Sequence, residues 1–326
     1  MTSLQPFLAA IQSEIDKTVY GESPRELYEP IDYIMELGGK RMRPALTLIA
    51  VNLFSDNWKD ALKPAVAVEV FHNFTLMHDD IMDAAPLRRG QATVHEKWDD
   101  DVAILSGDVM LVAAYELLTT VDDKYFKRVV KRFNRTAAEV CEGQQFDMNF
   151  ATRDDVTEEE YLNMIRLKTS VLLGFALELG GIISDADDKT IELLYETGVN
   201  MGLGFQLKDD LLDVYGDPEK FGKQVGGDII ENKKTWLLLK ALEKSKSLSP
   251  ELYKELQSWI STTGKDAEKV AAVTEIYNKL GIKTAAENVV NMYFEKGLHA
   301  LKSIEVEDER KLPLKEFAAY LMARES

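Results

Sequence analysis

The stretch Val66-Ala67-Val68-Glu69-Val70-Phe71-His72-Asn73-Phe74-Thr75-Leu76-Met77-His78-Asp79-Asp80-Ile81-Met82-Asp83 decides how the rest of the chain is read. It falls in a segment of helical periodicity, residues 59–84, and closes on three carboxylates. Residues four apart on a helix are stacked neighbours, with Cβ atoms roughly 5–6 Å apart. Asp79 therefore sits over Asp83. At 4 Å and an effective dielectric of 20, two such charges repel by about 4 kcal/mol. A bound cation relieves that cost. Oxygen-only donors suit magnesium, which takes a few carboxylates, keeps waters and completes its shell with phosphates.

The pattern occurs twice. Gln206-Leu207-Lys208-Asp209-Asp210-Leu211-Leu212-Asp213 repeats the Asp-Asp-x-x-Asp form and stacks Asp209 over Asp213. A solvated acidic face would account for one such motif. Two, each following an apolar run (Val66 to Met77, and Met201-Gly202-Leu203-Gly204-Phe205), argue for ion binding. At about 100° per residue, His72 lies about 20° and Thr75 about 40° from Asp79, on the Asp83 face. Alone, His72 would read as a satisfied core histidine. Gly202, Phe205 and Gln206 border the face of Asp209 and Asp213.

Outward from these motifs the chain reads as helix. Expected helices are 4–19, Pro24 to Leu37, Pro44 to Phe54, 98–120, 123–149, 157–181 and 188–216. Shorter ones follow at 233–245, 249–262, 266–280, 283–303 and 312–323. Ser23 is the expected N-cap of the second, Pro24 its first residue and Gly38-Gly39 its stop. No Asn-Gly hairpin signal separates alternating segments. The fold class expected is all-α. No Pro/Ser-rich linker divides the 326 residues, so one domain, residues 1–326, is expected. The Gly222-to-Gly227 stretch, with Lys223 and Asp228, reads as an active-site loop.

Composition narrows the function. A net charge of −17 disfavours nucleic acid and anionic membranes, which reward a basic footprint. No run of eighteen apolar residues spans a bilayer. No signal peptide is visible at the N-terminus, and the single Cys141 fits a reducing compartment, so a cytoplasmic location is expected. Basic residues are scarce enough for their clusters to matter. Lys40, Arg41 and Arg43 lie where a loop enters a helix, whose free N–H groups attract anions. Arg88-Arg89-Gly90 follows the first motif, Lys168-Thr169 interrupts an apolar helix, and Lys223 and Lys233-Lys234 follow the second motif. Any one of these could be ordinary solubilising charge. Together with acidic pairs they suggest two phosphorylated ligands, one held through metal and one by Lys/Arg directly. The four histidines (His72, His78, His95, His299) lack zinc spacing, and no Walker or dinucleotide loop is present.

These residues resemble those of the trans-type polyprenyl (isoprenyl) diphosphate synthases, short-chain farnesyl or geranylgeranyl type. Gly38-Gly39-Lys40-Arg41-Met42-Arg43-Pro44 resembles the family's first basic motif. His78 to Asp83 with Arg88-Arg89-Gly90 resembles the first Asp-rich motif and its arginine pair, and Gly204-Phe205-Gln206 with Asp209 to Asp213 resembles the second. The resemblance runs from about residue 30 to 240 and more loosely to the end. Asn232 departs from the family's usual Gly before the lysine aligned with Lys233, and Ala323-Arg324-Glu325-Ser326 lacks the basic ending of some members.

The resemblance implies a helix bundle of the isoprenoid synthase type around a deep central cavity, usually a homodimer. It implies condensation of isopentenyl diphosphate with an allylic diphosphate (dimethylallyl, geranyl or farnesyl) and release of pyrophosphate. Carried over by motif, Asp79 and Asp83 would bind two magnesium ions, Asp209 a third, with Asp213 supporting. Arg88, Lys168, Gln206 and Lys223 would touch the allylic diphosphate, with Lys233 nearby. Lys40, Arg43, His72 and Arg89 would bind isopentenyl diphosphate, and Thr169 would lie beside the reacting carbons. Proton loss to pyrophosphate would make a side-chain base unnecessary.

Product length would be set before the first motif. A bulky residue at Phe74, five before Asp79, resembles the floor of a short pocket, with small Thr75 next to it. Fifteen-carbon members often carry a second aromatic at that neighbouring position or extra motif residues, both absent here, so twenty carbons are favoured over fifteen. Phe74 lies about 140° from Asp79 and Phe71 about 80°, which keeps Phe71 as a rival floor. Two other functions are alternatives: a terpene cyclase on the same fold, and a non-catalytic partner subunit of a synthase. Cyclases lack the Gly-Gly-Lys-Arg-x-Arg site, and partner subunits usually lose Asp motifs.

Overall fold

The computed structural model describes residues 2–217 and 226–323. Helices α1 (Gln5–Ile15), α2 (Arg25–Glu36), α3 (Met42–Asn52) and α4 (Leu62–Met82) are followed by a two-stranded hairpin, β1 (Leu87–Arg88) and β2 (Gln91–Ala92). Then come α5 (Val94–Lys97), α6 (Asp100–Leu118), α7 (Asp123–Phe150), α8 (Glu158–Ile165), α9 (Val171–Ile183) and α10 (Asp188–Tyr215). The remaining helices are α11 (Gly227–Ile230), α12 (Trp236–Leu248), α13 (Pro250–Ile260), α14 (Asp266–Lys279), α15 (Ile282–Lys302) and α16 (Leu312–Met322). The all-α expectation holds, and each expected helix is present to within a turn or so.

Three local differences matter. The helix expected over 157–181 is broken by a π-helical turn at Arg166–Ser170, between α8 and α9. Such turns are rare and cluster at functional sites. The hairpin was not foreseen because Arg89-Gly90 is not Asn-Gly, yet both residues are left-handed (φ 54° and 78°), as a tight hairpin turn demands. At α2, Pro24 is itself the N-cap, in extended conformation, so Ser23 does not cap the helix.

The chain forms two compact units. The first comprises Met1–Thr136, Leu172–Tyr195 and Ser303–Phe317; the second comprises Ala137–Val171, Glu196–Lys302 and Ala318–Ser326.

In the first unit α3 is buried on every side from Pro44 to Val51, and α4 from Pro64 to Phe71. Burying each large apolar side chain contributes about 1.5–3 kcal/mol, which holds α4 rigidly enough to present its carboxylate end. Gly180 of α9 lies against α3, where a Cβ would stand 2.6 Å from the carbonyl oxygen of Thr47. An aromatic cluster joins α4, α6, α7 and α9. Phe133 meets Phe71, Tyr115 and Phe175 at ring-centroid distances of 5.1, 4.9 and 5.7 Å.

In the second unit, caps fix the helix starts. Thr157 and Glu160 make a reciprocal capping box at α8, and the Ser249 hydroxyl accepts the N–H of Leu252 at α13. The core of this unit includes Trp236, Tyr277 and Phe294, all at 2% exposure or less.

Candidate active site

The first unit gathers cations and carboxylates about two turns apart along α4. Gly38 and Gly39, both at positive φ, end α2 and turn the chain into α3. Arg41 caps α3 in left-handed conformation (φ 48°), a state that costs an L-residue roughly 1–2 kcal/mol. Its side chain supplies the compensation. Arg41 is buried, Nη1 donates to Glu69 Oε1 at 2.8 Å, and Nη2 donates to the carbonyl oxygen of Met35. Asn73 donates to the same Glu69 oxygen at 3.3 Å. Of the three cations in the motif, Arg41 is therefore a strut, while Lys40 is exposed and Arg43 half-buried.

Arg43 Nη1 donates to His72 Nε2 at 3.1 Å. That nitrogen must be unprotonated, so the imidazole is neutral with its proton on Nδ1. Burial, and then Arg43, Arg89, Arg88 and Arg41, hold His72 well below its ordinary range. Arg89, left-handed at the hairpin tip, donates to the carbonyl oxygen of Gly38. A side chain on Gly39 would stand 3.1 Å from the Arg89 guanidinium, so this glycine keeps the approach open. Arg41, Arg43, Arg89 and His72 thus form one basic nest.

At the C-terminal end of α4, Asp79 is half-buried and Asp83, the C-cap, is exposed. Asp80 turns inward. Arg88 Nε donates to both Asp80 oxygens at 3.0 Å, and Nη2 reaches Oδ1 at 2.5 Å. Phe71 is buried, with its ring centroid 5.6 Å from that of Phe74, which meets the His78 ring at 4.8 Å. The Thr75 hydroxyl bonds back to the carbonyl oxygen of His72 at 2.8 Å.

The second unit holds the other motif on α10. Asp209 and Asp213 are half-buried, and Asp210 is buried. The Tyr161 hydroxyl donates to Asp210 Oδ2, and Gln206 Nε2 donates to Oδ1 at 3.2 Å. Burial, and after it the Asp228 carboxylate, pushes Asp210 up to about 7. Burial raises the Tyr161 phenol well above its usual range, so it stays a donor. Asp213 Oδ2 accepts the backbone N–H of Asp228 at 3.1 Å, and its carbonyl oxygen accepts the N–H of Gly226 at 2.6 Å. Asp213 is therefore fastened to the segment that leads to Lys233.

On the π-turn, Lys168 Nζ donates to Asp147 Oδ2 at 2.7 Å, and the Thr169 hydroxyl donates to Gln206 Oε1 at 3.3 Å. Lys233 has Nζ 3.9 Å from Asp228 Oδ1. Burial works against its charge, but Asp228, Asp147 and Asp210 outweigh that and raise its pKa. Asn232 is left-handed (φ 55°) and its amide donates to the carbonyl oxygen of Ile260 at 3.0 Å. Its departure from glycine is thereby accounted for, since Asn tolerates that conformation best after Gly. Lys223 lies outside the described residues.

A family model described as Polyprenyl synthetase matches residues 24–280. The chain belongs to this family. It is 36% identical over 317 residues to the geranylgeranyl diphosphate synthase of Methanosarcina mazei, covering 97% of this chain and 95% of the relative. Its fold matches a crystal structure of a geranylgeranyl pyrophosphate synthase at 47% identity, with TM-score 0.94 and full coverage of both chains. It also matches the geranylgeranyl pyrophosphate synthase of Corynebacterium glutamicum complexed with isoprenyl diphosphate and magnesium, at 29% identity, TM-score 0.82, and 98% and 96% coverage. The chain is thus a trans-prenyltransferase with the all-α isoprenoid synthase fold.

The donor sets in this synthase fit magnesium, on which the family generally depends. Each motif offers hard carboxylate oxygens in a pair, because Arg88 or Tyr161 occupies the middle aspartate. Among the described residues no group of three or more His, Cys, Asp or Glu side chains forms a metal cage. Magnesium is ordinarily bound by one or two carboxylates, waters and substrate phosphates, and so suits such open pairs.

The residues missed by sequence reasoning are the partners: Glu69 for Arg41, Asp80 for Arg88, Asp147 for Lys168 and Tyr161 for Asp210. Glu69 had a signal, a lone acid inside the apolar run Val66 to Phe71. Asp80 stood inside the first Asp motif, but nothing marked it as the partner of Arg88, and Asp147 and Tyr161 had no signal.

Proposed function

We propose that this chain condenses isopentenyl diphosphate with dimethylallyl, geranyl or farnesyl diphosphate, with geranylgeranyl diphosphate as the favoured C20 product. The observation that carries the reading is the pairing, on α4, of a neutral histidine ringed by arginines with an Asp79–Asp83 carboxylate pair. The nest suits a diphosphate bound without metal, and the carboxylate pair suits one bound through metal.

In this reading Lys40, Arg43 and Arg89 grip isopentenyl diphosphate, and His72 orients Arg43. Asp79 and Asp83 would hold two magnesium ions and Asp209 a third, with Asp213 supporting. Magnesium, when bound, supplies positive charge to the departing pyrophosphate. Arg88, Lys168, Gln206, Lys223 and Lys233 stabilise the same developing charge from the protein side. Thr169 lies beside the reacting carbons, apolar walls exclude water from the allylic cation, and the proton leaves to pyrophosphate without a side-chain base.

Residues 1–326 work as a single synthase domain, a reading supported by one family model that runs through parts of both units. A homodimer is part of the proposal. It is supported by α6, which leaves Ile104, Leu105 and Val112 exposed, the last at 66%. Light scattering on the purified protein tests it. A cytoplasmic location rests on the lone Cys141; among the described residues no helix is long and apolar enough to cross a membrane.

The deciding experiment incubates the protein with isopentenyl diphosphate, magnesium and each allylic primer, then separates products by chain length. Linear C20 diphosphate is expected. Hydrocarbons or alcohols would indicate a cyclase, and no product a non-catalytic subunit. Phe74→Ala should lengthen the products, because the ring that closes the floor is lost. If it leaves chain length unchanged, the floor passes to Phe71.

A further inference from the structure

The π-turn is seated between α7 and α10 with unusual closeness. A Cβ on Gly143 of α7 would overlap the backbone N of Lys168 and stand 2.7 Å from its Cα. A Cβ on Gly202 of α10 would stand 2.7 Å from Ser170 Cα. Both obstacles are backbone, so neither can swing aside. On each helix the residue four further on shares the glycine's face. On α7 that residue is Asp147, which takes Lys168 Nζ at 2.7 Å; on α10 it is Gln206, which takes the Thr169 hydroxyl at 3.3 Å.

The geometry points to a cradle. We propose that Gly143, Gly202 and Asp147 are positioning residues that lock the π-turn and aim Lys168 and Thr169 before the allylic diphosphate arrives. Neighbours on a regular helix point about 100° apart. Here two consecutive side chains are each caught by a different helix. Lys168 reaches its partner on a flexible four-carbon stem, and Asp147 takes one of its three donor positions. The lysine is thereby ordered before binding, and preorganisation of this kind raises affinity and turnover. The proposal rests on the roles of Lys168 and Thr169 given above.

The test measures steady-state kinetics for each substrate, and binding of a non-reactive allylic thiolodiphosphate by calorimetry, in the full-length protein. Asp147→Asn, which keeps the side chain's shape, should lower kcat/KM for the allylic substrate by about tenfold, as expected when preorganisation is lost. KM for isopentenyl diphosphate should stay within about twofold. In a Lys168→Met background the same change should have no further effect, because Asp147 acts through Lys168. Gly143→Ala and Gly202→Ala should follow the same split. If either glycine variant does not fold, the Asp147–Lys168 cycle decides alone.

Additive effects would mean that Asp147 meets the ligand directly, for example by repulsion, and would overturn the cradle. So would wild-type kinetics in Asp147→Asn when Lys168→Met is impaired. Wild-type turnover in Lys168→Met would instead remove the role assigned to that lysine, and the cradle with it.

Discussion

Asp80 and Asp210 hold the same place in their two motifs and are buried to 2% and 5% exposure, yet they are stabilised differently. Asp80 receives a guanidinium through Nε and Nη2 of Arg88. Asp210 receives a phenol and an amide, neither of which carries charge. A cation compensates a buried carboxylate, whereas neutral donors only partly replace water. The rise of Asp210 to about 7 is the visible consequence, with burial as its main cause. In both motifs the middle residue is a strut, and the flanking aspartates are left as the pair. The difference also shows in what each strut fastens. Asp80 ties the hairpin that carries Arg88 and Arg89, while Asp210 ties Tyr161 of α8 to Gln206 of α10.

The comparison is most exposed to substitutions in the flanking pairs. Asp79→Ala should lower kcat on the order of 10³-fold and Asp209→Ala on the order of 10²-fold, since the proposal assigns two magnesium ions to the first pair and one to the second. Equal losses, measured at saturating magnesium, would erase the asymmetry assigned to the motifs. The struts come next. Arg88→Met leaves Asp80 buried and uncompensated, and should cost about 3–5 kcal/mol of stability in urea unfolding. Tyr161→Phe removes one neutral donor from Asp210 and should cost only about 1–3 kcal/mol. A Tyr161→Phe loss as large as that of Arg88→Met would break the contrast between charged and neutral support.

A pH effect separates the first region further. An unfolded histidine takes up its proton near pH 6.5, while His72 in the fold resists protonation because of burial and the surrounding arginines. Below about pH 6.5 the unfolded chain therefore binds more protons, and stability falls as pH falls. Above that pH the His72 contribution is fully present. Unfolding curves between pH 7.5 and 5.0 should be flatter for His72→Gln than for the parent, and parallel curves would refute the assignment.

The smallest effect belongs to the second region. Asn232→Gly keeps the left-handed turn but loses the amide bond to Ile260, and should cost about 1 kcal/mol. A loss of several kcal/mol in the same unfolding assay would show that Asn232 holds the segment by more than that bond.

Much of this was legible from local pattern. The i, i+4 spacing of Asp79 with Asp83 and of Asp209 with Asp213, the helix boundaries, the glycine stop after α2 and the basic character of Lys40 to Arg43 all depend on residues within a turn or two of each other. Periodicity and capping report such relations directly. The split of the 157–181 helix was not legible, because Gly143 and Gly202, against which the π-turn lies closely, belong to other helices. Nor was the division of labour within each motif. Three aspartates look alike in sequence, and only the arrival of Arg88 or Tyr161 makes one a strut.

The amino-acid order alone therefore determined an all-α chain with two carboxylate pairs and separate basic clusters, because backbone hydrogen bonding and side-chain stacking along a helix are short-range. The three-dimensional structure alone decided which charges are supports. Arg41 with Glu69, Lys168 with Asp147 and Tyr161 with Asp210 are 28, 21 and 49 residues apart, and each pair is joined only when helices pack. Burial makes an unmet charge costly, so packing selects these partners, and no reading of neighbours along the chain contains that selection.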